Sequence, residues 1–137
     1  MPVPLELVVF DLGGVLVHIA RTWEEACASA GLPPAPASAP DGYVTPINQA
    51  TADFQLGRID TREWCEAVAR ASDRAYSATD AGRVLQAWTR HQYDRIDEVF
   101  DVLDAHGIAT AVFSNTNAAH WHRRARAVVA IPSTQSY

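Results

Sequence analysis

The sequence contains no lysine, so all eleven of its basic residues are arginine. It carries no aspartate or glutamate after Asp104. Its two cysteines, Cys27 and Cys65, lie far apart and without metal-ligand spacing. They read as reduced thiols and exclude a disulfide framework. No apolar run approaches the ~18 residues that would suggest a membrane span. The opening stretch "MPVPLELVVF" has no basic region and carries Glu6, so it does not read as a signal peptide. Sixteen acids against eleven bases give a formal charge of −5, which opposes nucleic acid and anionic membrane surfaces. These absences predict a cytoplasmic protein with no nucleic-acid or membrane partner.

What is present is a globular composition. The 137 residues are 48% hydrophobic and 20% charged, enough for one compact domain or a small core with an accessory lobe. Leu5–Phe10 is an apolar run broken only by Glu6 and followed by Asp11, Gly13 and Gly14. That pattern predicts a strand buried on both faces, as in a parallel sheet covered by helices. Thr22 to Glu25 has the spacing of a capping box opening a short helix, with Gly31 as its stop. The segment "LPPAPASAPDGYVTP" holds five of the eight prolines and predicts a mainly non-helical linker. Helical pattern resumes from Thr51 to Leu56 and stops at Gly57. Asp60 and Glu63 signal a second cap for a helix with Trp64, Val68 and Ala71 on one side. A third helix is expected from about Ala78 to Arg90, and "RIDEVFDVLDAHG" forms another, ended by Gly107. The β-prone run Ile108–Phe113 then delivers Ser114 and Asn115. A last helix is expected from about Ala118 to Ala130. There is no internal repeat.

Two strand tips therefore carry the chemistry, Asp11 on one and Ser114-Asn115 on the other, with helices between them. Ligands of open α/β sheets bind at such tips. Each residue also has a plainer reading. Asp11 could close an Asx-turn, and Ser114 could cap the next helix. Ser114 lacks the G-x-S-x-G elbow of a serine nucleophile. His120 and His122, two apart on a helix, would face different sides rather than share a zinc ion. "HRRAR" suits the C-terminal end of a helix as well as it suits a nucleic acid. Trp64 and Trp88 fit a helical core as well as a substrate platform.

Taken together, Asp11-Leu12-Gly13-Gly14-Val15, the intervening "FxxGRID" (Phe54 to Asp60) and Phe113-Ser114-Asn115-Thr116-Asn117 resemble the haloacid dehalogenase-like (HAD) superfamily. The likeness is to members with a helical cap between the first and second motifs, including the "SNTNxxHW" form of one phosphatase-like branch. It covers nearly all of the chain up to about residue 124. The resemblance implies an α/β fold, a partial Rossmannoid core of parallel strands and flanking helices plus an inserted α-helical cap. It implies a core of residues 1–20 and 91–137, incomplete at the C-terminus, and a cap of residues 21–90.

The resemblance also implies a phosphatase of a small phosphorylated metabolite, with Asp11 as nucleophile and an aspartyl-phosphate intermediate. Mg²⁺ would be held by Asp11 and the Gly13 carbonyl. Gly14, Ser114 and Asn115 would hold the phosphoryl group. The chain departs from the family at Gly13, where most of its phosphatases carry a second aspartate acting as general acid and base. It has neither the family's third-motif lysine nor the acidic Mg²⁺ ligands of its fourth motif. Arg123, Arg124 or Arg126 could replace the lysine's charge; nothing replaces the carboxylates. The sequence thus looks like the front half of such an enzyme. Two readings follow: a Mg²⁺-dependent hydrolase, or a truncated or degenerate relative without turnover that binds phosphate or a partner. In either, the Leu5–Phe10 strand is expected to keep an unpaired apolar edge prone to self-association.

Overall fold

The computed structural model of the chain describes residues 4–114. In chain order the elements are β1 (Leu7–Phe10), β2 (Val17–Ile19), α1 (Trp23–Ser29), α2 (Val44–Gln55), α3 (Thr61–Ala71), α4 (Ala78–Trp88), β3 (Thr89–Gln92), α5 (Ile96–Ala105) and β4 (Ala109–Val112). The fold is α/β, with a parallel pair of strands and five helices, as expected of a partial HAD-like core. The helix expected from Ala118 to Ala130 lies outside the described residues.

β1 and β4 form the parallel pair, with Leu7 opposite Ala109 and Phe10 opposite Val112. The connection between parallel strands must cross over, and α5 makes that crossing. Its Phe100 ring meets Phe10 edge-on, with centroids 5.3 Å apart. Leu12, Leu16 and Val17 are buried here, and Phe10, Ile19, Ile96, Phe100 and Val112 pack against them.

Among the described residues, only one face of β1 is covered. Leu7 is 49% and Val9 55% exposed, which corrects the expectation of a strand buried on both faces. A continuous apolar run specifies a strand without specifying how many layers cover it. Among the described residues α5 supplies one layer, and β1 pairs with β4 alone.

The second ribbon was not foreseen. β2 pairs antiparallel with β3, Val17 opposite Gln92 and Ile19 opposite Thr89. β3, Thr-Arg-His-Gln, shows none of the apolar alternation that marks strands in sequence, and β2, Val-His-Ile, alternates over only three residues.

Helices α1 to α4 pack around a second apolar cluster that includes Trp23, Cys27, Ile47, Trp64, Val68, Tyr76 and Val84. Trp64 is buried and its Nε1 donates to Thr51 Oγ1 at 3.0 Å, so the indole pairs its one polar atom inside the core. Trp88 packs against the same cluster, its ring 6.5 Å from that of Trp23. Both tryptophans serve the core.

Three of the four helices in this block have a side-chain cap. Asp60 and Glu63 form the expected box on α3, and Ser77 with Asp80 forms another on α4. At α1, Thr22 accepts from Glu25 N, while the Glu25 carboxylate accepts from Arg21 N instead of closing the box. α2 starts at Val44 rather than Thr51, with Pro46 inside its first turn. A proline fits there because the N–H groups of a first turn have no helical partner. No helix among the described residues is long and apolar enough to cross a membrane.

Candidate active site

β1 ends at Phe10, and Asp11 is the next residue. β4 ends at Val112, with Ser114 two residues on. Because Phe10 stands opposite Val112 and Phe113 N donates to Phe10 O at 2.8 Å, Asp11 and Ser114 leave the sheet at the same end of adjacent strands. A ladder continued by one residue would set their Cα atoms roughly 6 Å apart, from a strand spacing of ~4.8 Å and a rise of ~3.3 Å. Asp11 is exposed and Ser114 half-buried.

The backbone after Asp11 turns back on itself. Leu16 N and Val17 N both donate to Leu12 O at 3.0 Å, and Gly14 N donates to Val17 O at 2.8 Å. The buried side chains of Leu12, Leu16 and Val17 anchor this turn to the core beneath it. Gly14 has φ of +78° with open space where a Cβ would stand, so it is the left-handed backbone and not crowding that calls for glycine. Gly13 differs: a Cβ there would lie 3.3 Å from Ile19 Cγ2.

Asp11 Oδ1 accepts from the adjacent Leu12 N at 2.7 Å. An Asx-turn would bond two residues on, so Asp11 does not close one. That is its only hydrogen bond among the described residues, and the Gly13 carbonyl accepts none there. A carboxylate and a carbonyl are hard oxygen donors that fit Mg²⁺, an ion that keeps several waters and takes few protein ligands. No group of three or more His, Cys, Asp or Glu side chains that could hold a metal occurs among the described residues. Asn115, Arg123, Arg124, Arg126, His120 and His122 lie outside them.

An aromatic stack on the β2–β3 ribbon went unnoticed in the sequence. The His18 ring lies 3.6 Å from that of Tyr93 and 4.6 Å from that of His91, centroid to centroid. Residues so distant in the chain meet only through the pairing of two short strands.

Solved structures share this fold. A HAD family enzyme from Bacteroides thetaiotaomicron, crystallised with magnesium and inorganic phosphate, superposes with a TM-score of 0.61 at 13% identity, over 91% of this chain and 60% of that one. Its magnesium complex matches with a TM-score of 0.62 at 16% identity, over 96% and 62%. A predicted HAD-like family hydrolase from Porphyromonas gingivalis matches with a TM-score of 0.56 at 20% identity, over 86% and 55%. The chain therefore spans about 60% of the length of the Bacteroides structures it matches. No curated protein matches it. The profile of the haloacid dehalogenase-like hydrolases matches residues 5–133, and the chain belongs to that family.

Proposed function

We propose that this chain carries the nucleophile side of a Mg²⁺-dependent phosphatase site for a small phosphorylated molecule. The observation behind this reading is that Asp11 and Ser114 emerge side by side from adjacent parallel strands. In this reading an Asp11 carboxylate oxygen attacks phosphorus, and the P–O bond to the leaving group breaks with its electron pair staying on the leaving oxygen. Water then attacks the aspartyl-phosphate, releasing inorganic phosphate and restoring Asp11. Ser114, Asn115 and the backbone N–H of Gly13 hold the phosphoryl oxygens as charge builds on them; the N–H of Gly14, also expected there, is instead committed to Val17 O. Asp11 and the Gly13 carbonyl would hold Mg²⁺, which would supply neutralisation of the charge between carboxylate and phosphate. The helices α1 to α4 act as a cap over the strand tips, with residues 21–90 as the cap and the flanking segments as the core. The Bacteroides neighbour supports the ligand class, since it was crystallised with magnesium and inorganic phosphate.

A second reading rests on Gly13 and on the absence of any lysine or of any acid after Asp104. Asp11 must approach a phosphate dianion, and phosphoryl transfer is catalysed mostly by positioning and charge neutralisation. These residues alone lack the charges that the family resemblance implies, and Gly13 supplies no proton to the leaving group. On this reading the 137 residues bind phosphate without turning over phosphate esters at anything near the ~1–10³ s⁻¹ of typical enzymes.

One experiment separates the two. The chain, Asp11→Asn and Ser114→Ala are assayed side by side with an aryl phosphate and excess Mg²⁺, and inorganic phosphate binding is titrated by calorimetry. Robust turnover abolished by Asp11→Asn supports the phosphatase. Mg²⁺-dependent phosphate binding without turnover, weakened by either substitution, supports the second reading. No binding at millimolar phosphate overturns both.

A further inference from the structure

The β2–β3 ribbon has a core face and an outer face. Val17 is buried and Ile19 packs beside it in the core that holds Phe10 and Phe100, so His18 between them points to the other side. Tyr93 continues β3, its N–H donating to Leu16 O at 3.0 Å, and lies two residues from His91 on the same side. Three rings therefore gather on the outer face, with His18 centred 3.6 Å from Tyr93 and 4.6 Å from His91. His91 is exposed, and His18 and Tyr93 are half-buried. Among the described residues no hydrogen bond or ion pair occupies their ring nitrogens or the phenol.

We propose that His18 and His91 together bind one divalent transition-metal ion of the nickel, copper and zinc group. Neutral imidazole is the commonest ligand of such ions, whereas Mg²⁺ takes oxygen, so this chemistry is distinct from that of Asp11. The ring spacing fits. With metal–nitrogen bonds of ~2.0 Å and an angle of ~90–110° at the ion, two coordinated imidazoles have centroids roughly 4.5–5 Å apart. The observed 4.6 Å falls in that range. Each centroid lies close to its own χ2 axis, so turning a ring to aim a nitrogen inward keeps the separation, and histidine χ2 is broad. Coordination uses the edge of a ring and leaves its face, so His18 binds while stacked on Tyr93, which holds it in place. The exposed His91 gives the ion its entry. Two imidazoles fall short of a three-donor cluster, so water fills the remaining positions and the ion exchanges with solvent. The formal charge of −5 favours a cation.

The test is calorimetric titration of the full chain with Zn²⁺ and Ni²⁺ at about pH 7.5 under excess Mg²⁺, with Cu²⁺ electron paramagnetic resonance beside it. The expected result is one equivalent bound at micromolar metal and not displaced by Mg²⁺. His18→Ala and His91→Ala each weaken binding at least tenfold and remove one nitrogen from the copper spectrum. Binding is lost at about pH 5, below the ordinary imidazole pKa of ~6.5. Tyr93→Ala weakens binding and Tyr93→Phe restores it, because the ring positions His18 without ligating the ion. Circular dichroism checks that each variant folds, and should His18→Ala not fold, the exposed His91 carries the test. Replacing His106, His120 and His122 together by alanine leaves binding unchanged. Loss of binding in that triple variant overturns the proposal, as does unaltered binding in His91→Ala. Displacement by Mg²⁺, or no binding at millimolar metal, overturns it as well.

Discussion

Phe10 and Val112 stand opposite each other in the parallel ladder, one residue behind Asp11 and two behind Ser114. The register that aligns the candidate site is thus the register that seats Phe10 on Phe100. A slip of one residue would turn Phe10 to the opposite face of the sheet and move Asp11 off Ser114 together. Core packing and site alignment are one constraint. Phe10→Ala should therefore cost about 2–3 kcal/mol, somewhat less than the ~3–5 of a fully buried phenylalanine. Phosphate binding should weaken along with stability, and urea unfolding beside a phosphate titration checks both.

Gly13 gives a steric account of the missing acid. A side chain there needs Ile19 to give way by a few tenths of an ångström, since its Cγ2 would lie 3.3 Å from the new Cβ. Gly13→Asp alone is expected to lose about 1–2 kcal/mol through overpacking. Pairing it with Ile19→Ala should recover part of the overpacking loss while giving up some burial. If the carboxylate at position 13 then acts as general acid and base, turnover in the double variant should rise by about 10²-fold, the lower end of such contributions. Equal turnover in the double variant and the parent would show that proton transfer does not limit this chain.

Much of this arrangement was legible before the fold. The helix stops at Gly31, Gly57 and Gly107 and the Asp60–Glu63 box rest on local chemistry, and each appears where the sequence places it. The strand end at Phe10 was legible for the same reason, since an apolar run meets a polar turn there; the second run, expected to reach Phe113, ends one residue earlier at Val112. The start of α2 was hidden because a proline-rich stretch masks a proline that a first helical turn accepts. The β2–β3 ribbon was hidden because β3 carries no apolar alternation and that of β2 is only three residues long, so pairing across the chain is what defines it. So the His18–Tyr93 stack that it creates could not be read. The exposure of Leu7 and Val9 on β1 was missed because an apolar run is the same string whether one layer or two will cover it.

The α4 cap makes acid stability dependent on one carboxylate. Asp80 is held below the ordinary carboxylate range chiefly by the Ser77 hydroxyl and backbone N–H, with Arg83 adding a smaller pull. A depressed folded pKa means that the unfolded state takes up the proton first as pH falls. Its stabilisation is present above about pH 4, the unfolded value, and is lost on further acidification through the folded one. Ser77→Ala should lower stability by about 1 kcal/mol at pH 7. The gap between Ser77→Ala and the parent should narrow below about pH 3. Melting temperatures of both proteins across pH 2.5–7 would reveal a constant gap if the cap were insensitive to Asp80.

Alkaline stability turns on Tyr76. Its side chain is buried, its hydroxyl donates to Pro33 O at 2.5 Å, and Cys27 Sγ donates to it at 3.6 Å. The rings of Trp23 and Tyr43 lie 5.4 and 6.1 Å away. Burial pushes the phenol well above its ordinary range, and the bond with Cys27 adds to this. The unfolded phenol ionises near pH 10 while the folded one stays protonated. The unfolded state thus sheds its proton first, and stability fully present below about pH 10 falls as pH rises further. Burial also raises the Cys27 and Cys65 thiols, so a shallower loss should begin from about pH 8.5, their unfolded value. Tyr76→Phe leaves Pro33 O without its donor and should cost about 1–2 kcal/mol at pH 7. It should also flatten the decline above pH 10, because the group that titrates there is gone. Cys65→Ala should flatten only the earlier part. Thermal melts from pH 7 to 11 on the three proteins separate these limbs, and an unchanged slope above pH 10 in Tyr76→Phe would assign that limb to another group.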